Sequence, residues 1–322
     1  MGSLVFAPMA RRKLRKPAPL KAGDVVRVIA PASPVKDPER LAAGVARLES
    51  WGLRVRTREG FNDRRHLFFA GRPEERAAEL MEALLDPECK AVLPVRGGYG
   101  LQTVLPLLDA QAIRAAAPTI VVGCSDLTAL LNWLVQEAGQ TCVHGPMVGA
   151  LAGDRDVPGR DRLRALLFDG GKPPALRPTG DAHSFCASPG VATGRAVGGS
   201  LSLLAATCGT PYQVDTRGAV LFIEEVGERP YRVDRTLVQL AQAGLFDHAA
   251  GVVFGDFTGC DEPGGKVSWR DAVDRVFRRR PLPVLTGVPF GHGNPNLAWP
   301  LGVRVHLDAG AGVVTFREAP LA

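Results

Sequence analysis

Residues 25–138 alternate short apolar runs with amphipathic stretches, and this alternation limits the fold more than any other feature of the chain. Residues 25–30 (VVRVIA) run into Pro31-Ala-Ser-Pro34, which reads as a buried strand followed by a loop. Residues 37–51 carry apolar positions at helical spacing and stop at Gly52. Residues 73–85 form a second helical stretch, with Pro73 at its start and Asp86-Pro87 beyond its end. Further strands are expected at 53–56, 91–95 and 119–123, a helix running to about residue 108, and a long apolar-faced helix at 126–138. Strands that alternate with helices build βαβ units and a parallel sheet.

The pattern breaks at 153–190, where Gly153, Gly159, Gly170-Gly171, Pro173-Pro174, Pro178 and Gly180 cluster. A stretch this rich in Gly and Pro reads as an interdomain linker, with room for one helix at 160–168. Strands then resume at 191–197, 220–224 and 251–255, with helices after Gly199, at 231–243 and at 268–278. Residues 303–307 and 313–316 read as a closing antiparallel pair around Gly310 and Gly312. At 322 residues, about two domains are expected, since single cores rarely grow past ~250–300 residues. The divisions are a basic tail at 1–21, expected to be disordered, a domain at 22–152, the linker at 153–190 and a domain at 191–322.

The formal charge of +6 is localised. Residues 1–21 hold Arg11, Arg12, Lys13, Arg15, Lys16 and Lys21 and no acid, so the remaining chain carries 33 basic and 33 acidic residues. A neutral body lacks the electrostatic footprint of a nucleic-acid binder. In the tail the basic cluster follows the apolar residues and Pro17 and Pro19 come after it, the reverse of a secretory signal. No run of 18 apolar residues occurs, which argues against a spanning helix. Six cysteines stand far apart, none in a C-x-x-C spacing, so reduced thiols in a cytoplasm are expected. No His, Cys or acidic spacing suggests a metal.

Candidate chemistry gathers where strands end. The segment TIVVG-Cys124-Ser125-Asp126-LTALLNWL runs a strand directly into a helix, the layout of a nucleophile elbow. Ser125 Oγ would stand above the sheet edge, with the Asp126 N–H available to an oxyanion. Leu127 replaces the second Gly of the usual elbow, and Ser or Asp before an apolar helix is also a common N-cap. Arg96-Gly97-Gly98-Tyr99-Gly100 follows another parallel strand; its glycines allow a ligand to approach or simply make a turn. Loops at the carboxyl ends of such strands line one crevice. A serine nucleophile needs a base. His292, flanked by glycines in a polar loop, is the favoured candidate, with His144 as its competitor. The base needs an orienting carboxylate, and Glu224-Glu225 closes an apolar strand.

Taken together, the segments resemble the murein tetrapeptide LD-carboxypeptidases and their microcin-immunity relatives. The matching stretches begin with Gly23-Asp24-Val-Val-Arg-Val-Ile-Ala-Pro31-Ala-Ser33-Pro, Arg96-Gly-Gly-Tyr-Gly100, Gly123-Cys-Ser-Asp-Leu-Thr128 and His144-Gly-Pro146. They continue with Gly198-Gly-Ser-Leu-Ser-Leu, Leu221-Phe-Ile-Glu-Glu-Val-Gly227 with Pro230-Tyr-Arg-Val-Asp-Arg235, and Gly291-His-Gly-Asn with Ala298-Trp-Pro300. They occur in order from about residue 22 to 316. The resemblance implies a serine peptidase with Ser125 as nucleophile, His292 as base and Glu224 as orienting acid. The Asp126 N–H and the Gly97–Gly98 segment would form the oxyanion hole. It also implies a flavodoxin-like N-terminal domain, a β-rich α/β C-terminal domain with the site between them, and a homodimer acting on muropeptides without a cofactor. A microcin-immunity-type hydrolase of acyl-adenylate-like amides is the alternative within the family. Outside it stand a glutamine-amidotransferase-like enzyme using Cys124 and a two-domain binding protein without catalysis.

Overall fold

The computed structural model describes residues 13–61, 63–179 and 186–322. The first half runs β1 (Val25–Ile29), α1 (Pro38–Ser50), β2 (Arg54–Thr57), α2 (Pro73–Leu85), β3 (Cys89–Pro94), α3 (Leu101–Val104), α4 (Ala110–Ala115), β4 (Ile120–Gly123), α5 (Leu127–Trp133) and β5 (Cys142–His144). The second runs α6 (Val157–Phe168), β6 (Cys186–Ser188), β7 (Val191–Ser200), α7 (Leu201–Thr207), β8 (Ala219–Val226), α8 (Pro230–Gln242), β9 (Gly251–Thr258), α9 (Trp269–Phe277), β10 (Val284–Leu285), β11 (Trp299–Leu301), β12 (Arg304–Asp308) and β13 (Val313–Phe316).

The first sheet has the order β11-β5-β4-β3-β1-β2. Its strands β1 to β5 are parallel, and β11 pairs antiparallel with β5. Because successive strand residues face opposite sides, Val26, Val28, Ala91 and Leu93 pack on α1 and α6, while Ile29, Val92 and Val121 pack toward α2 and α5. Helix starts follow local chemistry: Asp37 caps α1 by accepting the Arg40 N–H at 3.0 Å, with Pro38 in the first turn. The second sheet has the order β13-β12-β7-β8-β9-β10-β6. Its centre, β7-β8-β9-β10, is parallel, and both flanks are antiparallel.

Two expectations change. The tail expected to be disordered over 1–21 is packed from residue 13 onward; residues 1–12 lie outside the described ones. Leu14 and Leu20 are buried. Arg15 joins the body through its backbone to Gly139 and Thr141 and through its guanidinium to the carbonyls of Ile113, Arg114 and Ala116. The physical reason is that carbonyls at the end of α4 lack intrahelical donors, and a cation at a helix C-terminus satisfies them. The stretch expected as a linker carries α6, whose Leu163 and Leu167 are fully buried in the core of the first sheet. Residues 180–185 of that stretch lie outside the described ones.

Candidate active site

Strand β4 enters α5 through Cys124, Ser125 and Asp126, and Ser125 takes φ 60°. A non-glycine residue in the left-handed region costs roughly 1–2 kcal/mol, so the surroundings must hold it there. They do so with the Leu127 N–H on the Cys124 carbonyl at 3.2 Å and the Thr128 N–H on the Ser125 carbonyl at 2.9 Å. Asp126 makes no side-chain cap. Its buried carboxylate turns away to accept the Leu101 N–H at 2.9 Å. Asp126 therefore does not act as a plain N-cap, and the strained strand-to-helix turn has the geometry of a nucleophile elbow. Burial pushes the Asp126 carboxyl up, partly offset by the backbone N–H groups of Leu101 and Gly100.

The Asp126 bond also ties the elbow to the Gly-rich loop after β3. A Cβ on Gly97 would stand 3.0 Å from Ser125 Cβ and 3.2 Å from both the Asp126 nitrogen and Ser125 Oγ, so any side chain there would press the Ser125 turn back by a few tenths of an ångström. Among the described residues, the N–H groups of Gly97, Gly98 and Asp126 donate to no protein acceptor. Ser125 Oγ likewise has no hydrogen-bond partner among them.

Glu224 and Glu225 sit near the carboxyl end of β8. Adjacent strand residues face opposite sides, which splits the pair. Glu225 accepts the Ser202 N–H at 2.8 Å and its hydroxyl at 2.5 Å, on α7. Glu224, fully buried, accepts Nδ1 of His292 at 2.6 Å through Oε2. Burial alone would push the Glu224 carboxyl up; the neighbouring His144 and His292 rings outweigh it and hold it at about 2. Burial alone would lower His292; the bond to Glu224 and the charges of Glu224, Glu225 and Asp256 outweigh it and raise its pKa. The pair therefore favours a carboxylate beside an imidazole that readily takes a proton.

The loop bearing His292 is held from below. The Gly291 N–H donates to Asn296 Oδ1 at 3.1 Å, and the Asn296 N–H to Asp156 Oδ2 at 2.9 Å. Gly291, at φ 122°, lies so close that a Cβ would meet Glu224 Cβ and Oε2 at 2.7 Å. The two sheets are tied at the same place. Asn132 on α5 bonds both the N–H and the carbonyl of Gly198, and Thr128 Oγ1 accepts the Ser200 N–H at 2.9 Å. Ser200 is in register with Glu224 on β8, so the elbow helix is anchored one strand from the acid.

His144, the competing base, is fully buried and stacks on Trp299 at 5.1 Å. Its Nε2 lies 3.9 Å from the second Glu224 oxygen, and neither atom has a hydrogen-bond partner. It is an electrostatic neighbour of the acid, shut off from solvent. Cys124 is buried, and burial together with the Glu224 charge pushes its thiol far up; a thiol so held is a poor nucleophile.

Sequence reasoning missed Asp256, on β9 beside the His292 loop. Its N–H donates to the Phe290 carbonyl at 2.8 Å, and Oδ2 is buried without a partner. Burial first, then the Glu224 charge, pushes its carboxyl up to about 6. The available signal was the one that found Glu224: an acid just past an apolar strand (GVVFG). Nothing in the sequence marked Asp156 or Asn296. Among the described residues, no group of three or more His, Cys, Asp or Glu is placed to hold a metal.

A strained elbow serine on one sheet and a buried carboxylate–imidazole pair on the next is the layout of serine hydrolases. Comparison with known proteins agrees. Residues 26–145 match the LD-carboxypeptidase N-terminal domain and residues 193–307 the LD-carboxypeptidase C-terminal domain. A probable murein peptide carboxypeptidase of Bacillus subtilis is 37% identical, over 91% of this chain and 91% of that protein. The murein tetrapeptide carboxypeptidase of Pseudomonas aeruginosa is 30% identical over 88% and 92%. The structure of the microcin C7 self-immunity protein MccF superposes with a TM-score of 0.85 at 24% identity, covering 95% of this chain and 99% of that one, a likeness of fold. The chain belongs to the LD-carboxypeptidase family of serine peptidases.

Proposed function

We propose that this protein is a serine LD-carboxypeptidase that releases the terminal D-alanine from peptidoglycan-derived tetrapeptides. Ser125 is the nucleophile, His292 the general base, Glu224 the orienting carboxylate, and the N–H groups of Gly97, Gly98 and Asp126 the oxyanion hole. The observation that carries the reading is the elbow serine at φ 60° on the sheet neighbouring a 2.6 Å Glu224–His292 pair.

Ser125 Oγ attacks the carbonyl of the L-centre that precedes D-alanine, while His292 takes its proton through Nε2. Glu224 binds Nδ1–H, which fixes the tautomer and stabilises the imidazolium that forms. The carbonyl oxygen becomes an oxyanion and meets the free backbone N–H groups, which need no reorganisation to receive it. The imidazolium then protonates the D-alanine amine, which leaves. Water, deprotonated by His292, cleaves the acyl-enzyme and restores Ser125. Ser125 and His292 engage fully when substrate fills the crevice, as catalytic hydrogen bonds tighten in the complex.

The family resemblance supports a cytoplasmic homodimer acting in cell-wall recycling. Among the described residues no helix is long and apolar enough to cross a membrane. The reading is tested by incubating the folded protein with L-Ala-γ-D-Glu-meso-diaminopimelate-D-Ala and following free D-alanine by mass spectrometry. Release that disappears in Ser125→Ala supports it; no release by the wild type overturns it.

A further inference from the structure

The reaction proposed above requires that the free carboxylate of the substrate be read, and the residues around the nucleophile do not do this. Glu224 and Asp256 place negative charge beside His292, so a substrate ending in a carboxylate must direct that charge elsewhere. A cavity of about 350 Å³ opens at the carboxyl edge of the first sheet. It lies between the segments that leave β1 and β3, which stand side by side while their connections depart in opposite directions. This is the topological switch point, where open α/β sheets bind ligands.

Three cations line the cavity: Lys36 and Arg40 from the β1–α1 side and Arg96 from the end of β3. The one acid in its wall, Asp37, is committed to capping α1. Arg40 spends its Nε on the Gly149 carbonyl at 2.5 Å. Arg96 is different. It is half-buried, and among the described residues its one hydrogen bond reaches the Pro34 carbonyl at 3.5 Å. Most of its five donors are unspent.

Its position is also tightly defined. Arg96 directly precedes Gly97, which closes on Ser125. A Cβ on Gly98 would lie 3.5 Å from Arg96 Nη2, on the exposed side of the oxyanion loop. The loop beneath is fixed by Ser33, whose N–H donates to the Gly97 carbonyl at 3.3 Å and whose Oγ accepts the Tyr99 N–H at 3.2 Å. A planar guanidinium held beside an oxyanion hole, with free donors and no acid partner, suits a carboxylate a few bonds from the scissile carbonyl.

We infer that Arg96 binds the α-carboxylate of the leaving D-amino acid, with Lys36 and Arg40 adding a positive field in the same cavity; this rests on the carboxypeptidase reading above. The residue makes the enzyme an exopeptidase because a chain-end carboxylate offers the guanidinium a charge and two acceptors, whereas an amide offers one neutral acceptor.

The test compares the free tetrapeptide with its C-terminal amide on wild type, Arg96→Ala and Arg96→Lys, reading kcat/KM by release of D-alanine or D-alaninamide. A charge-assisted pair predicts that the wild type prefers the acid by about 100-fold. Arg96→Ala should lose about that factor on the acid while keeping its rate on the amide within ~3-fold, so the preference collapses. Arg96→Lys, which keeps the charge and loses the fork, should recover part of it. The unchanged amide rate shows that the loop is still folded. Equal losses on both substrates assign Arg96 a structural role and overturn the inference. A wild type that cleaves acid and amide alike overturns it and leaves the hydrolase reading standing. A wild type that cleaves neither removes the reading itself, and the inference with it.

Discussion

Glu224 and Glu225 are chemically alike, adjacent and both buried, yet only one should matter to catalysis. In Glu224→Gln, the Oε2 that meets His292 Nδ1 at 2.6 Å becomes part of a neutral amide. The imidazolium formed in the transition state then faces no counter-charge in a site where Glu224 is fully buried. Breaking a buried pair by removing one charge costs about 3–5 kcal/mol, which is roughly a 10²–10⁴-fold loss in kcat. Glu225→Gln changes a group whose bonds end on Ser202 and Val226. The amide keeps an acceptor there, so kcat should stay within about 3-fold while the melting temperature falls. A pH profile of kcat/KM gives a second readout. In the proposed mechanism neutral His292 is the base, so activity should rise with pH through its pKa, and Glu224 raises that pKa. Removing the carboxylate therefore moves the acid limb to lower pH even as the plateau drops. Equal losses in both variants, a larger loss at Glu225, or an acid limb that stays in place in Glu224→Gln would refute the assignment.

Further expectations follow from the same geometry. Ser125→Ala should abolish turnover, while Cys124→Ala keeps kcat/KM within about 3-fold, because a buried thiol with a raised pKa is not the nucleophile; loss of activity with Cys124 alone would reverse the roles. Gly97→Ala places a Cβ 3.0 Å from Ser125 Cβ and should lower kcat about 100-fold, the cost of one lost oxyanion donor, with the melting temperature the control for global damage. Arg15→Ala, or removal of residues 1–20, should lower the melting temperature by several degrees, since Arg15 serves the carbonyls of Ile113, Arg114 and Ala116; an unchanged melting curve would show that these contacts contribute nothing.

Much of the fold was legible because its strands and helices obey local rules. The strand at β1, the helix at α2 between Pro73 and Asp86-Pro87, and the junction at Ser125 all carried their own punctuation. Short strands were not legible. β5, β10 and β11 are two or three residues long, and β11 is a strand only because β5 offers it an edge. For the same reason the crossing of residues 299–301 back onto the first sheet could not be read from pattern. The basic tail misled because composition reports charge but not partners; Arg15 is structured by carbonyls about a hundred residues away. The site was legible where chemistry stood at strand ends. Its supports were not: Asp156 and Asn296 act through a backbone loop, and Asp256 gained its meaning only when β9 was seen beside β8.

Acyl transfer through Ser125 must pass through an acyl-enzyme, and that species can be observed. Rapid mixing with the tetrapeptide, acid quench and intact-mass measurement should show a transient adduct equal to the substrate less D-alanine. Proteolytic mapping should place it on the peptide containing Ser125, at the hydroxyl. Ser125→Ala should give neither adduct nor D-alanine. An adduct on Cys124, or D-alanine release by Ser125→Ala at the wild-type rate, would contradict the account.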